Sequence, residues 1–328
     1  HLGIVLLLFL VGLNLHPHRL LSLFRKTALV TCVTSMVFAV LFAAVTRLFG
    51  FSLVDSVLVG VALMFSSTIV GLKLTPTTTL HQKHLGEMMI SILLFQDILA
   101  ILVIILLEGS ARPDLHLYLP LLVLKGAALV AGAFLFVKYC ILWLFRKFDT
   151  IQEYILVVAL GWCLALSGGS KALGMSYEIG AFIAGCSFAV SPVALVMSER
   201  LKPLREFFLI LFFFAIGTQF DFLLLKHALL PSLVLAIGIT FVKPFAFAAA
   251  FRRLSEPRPV ARELGLRLGQ ASEFSLLVVY MATASSVIST RASYVVQLTT
   301  ILTLIVSTYI VSYTCATPIG VSKSLRAD

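Results

Sequence analysis

Apolar residues run along this chain in eleven blocks, at roughly residues 2–14 (cut short), 27–48, 53–73, 86–107, 119–142, 151–168, 177–196, 205–222, 228–252, 265–285 and 295–316. Most are close to the length of about twenty residues at which a helix crosses a bilayer. The turns between them carry proline, glycine and charge, as in LHPHRLLSLFRK and RRLSEPRPVAR. None is long enough to form a separate soluble domain. The pattern predicts an all-α polytopic membrane protein of about eleven transmembrane spans. The chain opens at His1 inside an apolar block, so it is expected to be truncated at its N-terminus.

Composition strengthens that reading. Of 328 residues, 60% are hydrophobic and 12% charged, too little polar surface for a soluble domain of this size. The net charge of +10 does not indicate nucleic acid, because the basic residues are spread over short loops; the expected surroundings are membrane lipid. Sixteen of them, from Arg19 to Arg326, fall on the side reached after the first block, against five (Arg47, Arg112, Lys171, Lys226 and Arg291) on the other. The positive-inside rule puts the first side and the C-terminus in the cytoplasm. Five cysteines, Cys32, Cys140, Cys163, Cys186 and Cys315, lie scattered in apolar runs, which suits packing rather than a metal or disulfide framework.

The blocks also repeat. LLFLVGLNL around Gly12 echoes LFFFAIGTQF around Gly217, an offset of 205 that also maps Gly60 onto Gly265 and Ser67 onto Ser272. The matched blocks are the first with the eighth and the third with the tenth. Seven crossings separate them, an odd number, so the two copies are expected to face opposite ways, as in many secondary transporters.

Candidate chemistry begins with MMISILLFQDILAILVIILL, Met88 to Leu107, whose one ionisable residue is the central Asp97. A charge at mid-membrane costs a few kcal/mol and usually marks an ion or proton pathway. A buried carboxylate is neutralised equally by a proton or by a small cation, the minimum equipment for exchanging one for the other. Gln96 beside it is a second polar group that needs partners away from lipid. Lys243, in GITFVKPFAF, is the natural charge partner for Asp97; Pro244 after it removes a backbone donor. About eight residues, roughly 12 Å of helix, separate Lys243 from the charged turn at Arg252, too far to snorkel. FSSTIVG and GQASEFS interrupt their blocks with small hydroxyl residues and glycine. Broken helices there would bring Ser66, Ser67, Thr68, Ser272 and Glu273 to an ion site.

Other groups attract weaker readings. His16 with His18 and His81 with His84 lie in cytoplasmic turns without a third ligand, so they read as solvated loops rather than metal sites. Glu87, Glu153 and Glu178 sit near block ends. Arg267 lies two turns into its block, with a conceivable link to Glu273. Neither a phosphate-binding glycine loop nor a nucleophile–histidine pairing is found, so no cofactor is expected.

FSSTIVGLKL followed by LLFQDILAI resembles the cation:proton antiporter superfamily, specifically its Kef-type potassium/proton branch. LFLVGLNLHPHRL, EIGAFIAGCSFAVSP, FFFAIGTQFD and LGQASEFSLLV resemble that branch's corresponding segments, in order along the chain. The resemblance implies the antiporter fold, two six-helix inverted repeats joined by a linker helix. On that pattern the first repeat covers 1–118 and lacks its first two helices, the linker is 119–150, and the second repeat is 151–328. It implies Asp97 as the ion-binding carboxylate with Gln96 beside it, crossing broken helices at Ser66–Thr68 and Ala271–Glu273, and Lys243 as the core lysine. It implies exchange of K⁺ or Na⁺ for H⁺ by an elevator motion, and a homodimer of the full-length protein. Gln96 stands where electrogenic relatives carry a first Asp, which implies electroneutral exchange. A gated potassium channel shares the pore carboxylate but needs no inverted repeat and usually shows a filter loop. An intramembrane aspartyl protease needs a second mid-depth aspartate, whereas Asp55, Asp149 and Asp221 lie at block ends.

Overall fold

A computed structural model of the protein describes residues 2–13, 17–75, 84–110, 115–144, 152–173, 175, 177–189, 191, 194–218 and 222–317. His16, His81, Asp149 and Asp221, considered above, lie outside the described residues.

Every regular element among these residues is helical. In chain order they are α1 (Leu2–Leu13), α2 (Pro17–Leu48), α3 (Leu53–Leu63), α4 (Thr68–Lys73), α5 (His84–Ser110) and α6 (Leu115–Phe136), which runs on into a π-helical turn at Val137–Ile141. They continue as α7 (Gln152–Ala172), α8 (Tyr177–Ala189), α9 (Ala194–Thr218), α10 (Phe222–Arg253), α11 (Arg258–Arg267), α12 (Glu273–Ala284) and α13 (Thr290–Thr314). Stretches of α2, α5, α6, α10 and α13 are each long and apolar enough to cross a membrane, and α3, α7, α8 and α12 contribute shorter apolar helices. The blocks read from the sequence recur as these helices with shifted ends. α2 begins at Pro17, ten residues before its apolar block, because proline suits a first helical position and the following polar turn continues the helix.

The chain forms two compact units, each drawing on both halves of the sequence. His1–Leu20 and Glu108–Phe220 form the first; Leu21–Leu107 and Asp221–Asp328 form the second. In the first unit α1 lies against α8 at backbone distance. A Cβ added to Gly185 would come within 2.0 Å of the Phe9 carbonyl oxygen, and one on Gly12 within 2.4 Å of the Phe182 oxygen. Such paired small residues let helices pack where lipid supplies no hydrophobic drive. Phe9 and Phe188 meet edge-on beside this contact, 6.3 Å between ring centres.

The second unit repeats the device. A Cβ on Gly60 of α3 would fall 2.2 Å from the Ala39 carbonyl oxygen of α2, and one on Gly265 of α11 would fall 2.3 Å from the Pro244 oxygen of α10. These approaches bring α3 and α11 to backbone distance of long neighbours. Both then stop short. α3 ends at Leu63 and the chain restarts as α4 at Thr68; α11 ends at Arg267 and restarts as α12 at Glu273. Each restart is capped by the serine before it. The Ser67 hydroxyl accepts from the Val70 amide at 3.2 Å, and the Ser272 hydroxyl accepts from the Phe274 amide at 3.1 Å, with Ser275 closing a reciprocal capping box. Small hydroxyl residues compete for backbone hydrogen bonds inside a helix and favour caps, which is why the two blocks break where they do.

Candidate functional site: two helix breaks, a lysine and a carboxylate

Both breaks, α5 and α10 belong to the second unit, and they supply one buried polar cluster. Asp97 sits near the middle of α5 and is 2% exposed. The Thr68 hydroxyl, at the first residue of α4, donates to its carboxylate, 3.2 Å from Oδ1 and 3.4 Å from Oδ2. Gln96, also buried, accepts at Oε1 from the Ser66 amide at 2.9 Å. Its Nε2, enclosed beside that contact, has no hydrogen-bond partner among the described atoms. The helix α5 therefore holds the first break by one side chain and presents its carboxylate to the half-helix that follows.

Lys243 is fully enclosed on α10. Its Nζ donates to the Phe65 carbonyl oxygen at 2.7 Å and to the Gln270 carbonyl oxygen at 3.1 Å, and it lies 5.6 Å from the centre of the Phe38 ring. The expectation of Asp97 as its direct partner gives way to this arrangement. Lys243 spends its hydrogen bonds on one carbonyl from each break, because both follow the last turns of α3 and α11. Orphan carbonyls and the negative ends of two helix dipoles converge there, and an ammonium satisfies both. The acids take the opposite ends. Asp97 is bonded by the first residue of α4, and Glu273, 3% exposed, is the first residue of α12.

The breaks are also tied to each other. The Ser66 hydroxyl donates to the Leu268 carbonyl oxygen at 2.8 Å. The Gln270 amide donates at 3.4 Å to the Ser67 oxygen and at 2.9 Å to the Arg267 oxygen, and receives the Ser307 hydroxyl at 3.2 Å. The Ala271 amide donates to the Thr303 hydroxyl at 3.2 Å. Of the residues singled out in the sequence, Ser66, Ser67, Thr68, Gln96 and Asp97 share one hydrogen-bonded neighbourhood, joined to the second break through Lys243. Ser272 and Glu273 bond to each other at 3.4 Å and stand at the far end of that break.

Four participants escaped the sequence reading: Gln270, Thr303, Ser307 and Phe38. Gln270 lies inside the quoted GQASEFS, where an uncharged amide carries little signal. The two hydroxyl residues of α13 look like ordinary helix-bonding side chains, and Phe38 is one of 26 phenylalanines. Arg267 pairs one turn back, with Glu263 at 2.7 Å.

A family model described as the transmembrane sodium/hydrogen exchanger matches residues 1–317. The chain belongs to the sodium/hydrogen exchanger family. Its relatives are transport proteins, not enzymes. The glutathione-regulated potassium-efflux system protein KefC of Klebsiella pneumoniae is 29% identical over 282 residues, covering 84% of this chain and 45% of its own length. The chain thus spans about half the length of these potassium-efflux relatives. The iron transporter MagA of Paramagnetospirillum magneticum is 27% identical over 317 residues, covering 94% of this chain and 71% of MagA. Among solved structures, the sodium proton antiporter MjNhaP1 of Methanocaldococcus jannaschii superposes with a TM-score of 0.61 at 12% identity, over 94% of this chain and 81% of its own. That likeness shows a shared fold; the transmembrane family match and the apolar helices make this an integral, multi-pass membrane protein.

Proposed function

We propose that this protein exchanges a monovalent cation, K⁺ or Na⁺, for protons across a membrane by alternating access, with Asp97 as the group that holds either ion. The observation that carries the reading is the company Asp97 keeps. A carboxylate at the centre of a membrane helix faces the start of one half-helix, while a buried ammonium occupies the ends of two others. The Thr68 hydroxyl bonds that carboxylate, and oxygen ligands of this kind are what alkali cations take up. The Gln96 Nε2, without a hydrogen-bond partner among the described atoms, is polar capacity beyond what the helices themselves need.

The proposed exchange is electroneutral. Among the described residues Asp97 is the carboxylate seen bonded to the first break, and its neighbour Gln96 is neutral, which supports one cation replacing one proton with no net charge moved. The matched breaks at Ser67 and Ser272 are the centres of an inverted pair of repeats, residues 1–118 and 151–328 with 119–150 as linker. All of the site residues fall in the second unit, which suits it to act as the moving body of an elevator, with the first unit as the dimerising scaffold. The C-terminus faces the cytoplasm. A gated channel shares the carboxylate but has no use for a lysine that binds both breaks at once.

The experiment is flux in vesicles holding the full-length protein. An inward K⁺ or Na⁺ gradient, imposed in turn, should drive proton exit at zero membrane potential. Cation movement that continues without any counter-movement of protons would mean a channel.

A further inference from the structure

Arg267 is among the largest enclosed side chains, 1% exposed, and it has no part in the exchange chemistry above. We propose that it is a positioning residue. By gripping the C-terminal end of α4, it sets where Thr68, at the other end of that helix, meets Asp97. The inference rests on Asp97 being the ion-binding group.

The guanidinium joins three elements of the second unit. One terminal nitrogen donates to the Leu74 carbonyl oxygen at 2.8 Å and to the Thr75 hydroxyl at 3.0 Å, both just past α4. The other donates to the Ala316 oxygen, beyond the end of α13, at 2.7 Å and to Glu263 Oε1 at 2.7 Å. Nε reaches the same Glu263 oxygen at 2.9 Å. Glu263 fixes the fork from within α11, so the remaining donors are aimed rather than free to swing. Thr75 passes the tie back into α4, its hydroxyl donating to the Gly71 oxygen at 2.6 Å. Beside the clamp Leu74, Val311 and Cys315 form a small apolar core, with Val70 and Leu266 packed on it.

Length is what makes the clamp matter to the site. α4 has six residues, about 9 Å at 1.5 Å per residue, too short to hold a direction by its own hydrogen bonds. Its orientation must come from its two ends. At the N-terminal end stands the Ser67 cap, with Thr68 on Asp97; at the C-terminal end stands Arg267. An arginine buried in a membrane helix carries a penalty of a few kcal/mol, which simple packing would avoid by using leucine or methionine there. Releasing the C-terminal end lets α4 tilt about the serine cap and draws the Thr68 hydroxyl away from the carboxylate.

The test is cation-driven proton flux in vesicles with full-length wild-type, Arg267→Lys, Arg267→Met, Glu263→Gln, Thr68→Val and the Arg267→Met/Thr68→Val double variant, together with their melting in detergent. The half-saturating cation concentration should rise about tenfold in Arg267→Met, the equivalent of one hydrogen bond to a charged group. Maximal rate should change far less. Glu263→Gln, which loosens the fork and removes nothing from α4, should shift it in the same direction by a smaller factor, and Arg267→Lys should recover part of the loss. The double variant should be no worse than the poorer single, because both changes break one Thr68–Asp97 contact. Multiplicative losses in the double variant, or a fall in maximal rate at unchanged half-saturation, would overturn the inference. If Arg267→Met fails to fold, Glu263→Gln and Arg267→Lys decide it, and wild-type half-saturation in both would also overturn it. Asp97→Asn run alongside separates the two readings: exchange that survives in that variant sinks the site assignment, whereas its loss with unshifted Arg267 variants sinks only the clamp.

Discussion

Asp97→Asn is expected to reduce cation-driven proton movement to the level of protein-free vesicles, while the protein assembles and melts close to the parent. Asparagine keeps the shape of the side chain and an oxygen for the Thr68 hydroxyl, which lies 3.2 and 3.4 Å from the two carboxylate oxygens. It removes the two properties that exchange requires, a charge for the cation and a site for the proton. Stability should hold because a buried charge is costly and an amide is cheaper to enclose. Flux that persists in Asp97→Asn, at any cation concentration, would move the coupling elsewhere in the protein.

The second large effect is expected from Lys243→Met. Methionine fills the volume but leaves the Phe65 and Gln270 oxygens without the ammonium that bonds them at 2.7 and 3.1 Å. Each orphaned buried carbonyl costs about 1–3 kcal/mol. Relief from burying the charged amine, also a few kcal/mol by insertion scales, offsets much of that total. Net stability should therefore fall modestly, seen as a drop of a few degrees in melting temperature. Transport should fall much further, by about tenfold or more for each hydrogen bond lost to the charged group. The reason is that Lys243 holds the ends of α3 and α11 together where the two breaks meet. A variant with wild-type melting and wild-type flux would reduce Lys243 to a space-filling side chain.

How far the sequence foretold this depends on the kind of information each feature carries. Asp97 was legible because one charge in twenty apolar residues has a large free-energy cost that function must justify. The breaks were legible because FSSTIVG and GQASEFS concentrate the residues that leave helices, and they fall around Ser67 and Ser272 as read. The partners of Lys243 were not legible. Its acceptors are backbone atoms 178 and 27 residues away, and a carbonyl leaves no mark in a sequence. The eye pairs lysine with aspartate, whereas the fold offers two helix ends, whose combined partial charge is comparable to one carboxylate. Arg267 illustrates the same limit: its link to Glu263 has helical spacing, but three of its acceptors lie just past α4 and beyond α13. The interleaving of the two units is a property of packing, and contiguous repeats read from an offset of 205 do not disclose it.

Competition between the two ions at one carboxylate is the claim on which all of this stands. The direct measurement is the cation concentration for half-maximal flux, taken as pH is lowered step by step with wild-type full-length protein in vesicles. Once protons fill the carboxyl, that concentration should climb about tenfold per pH unit at constant maximal rate, by simple mass action for one shared site. A half-saturating concentration that stays level across the acid range would show that proton and cation are held by different groups.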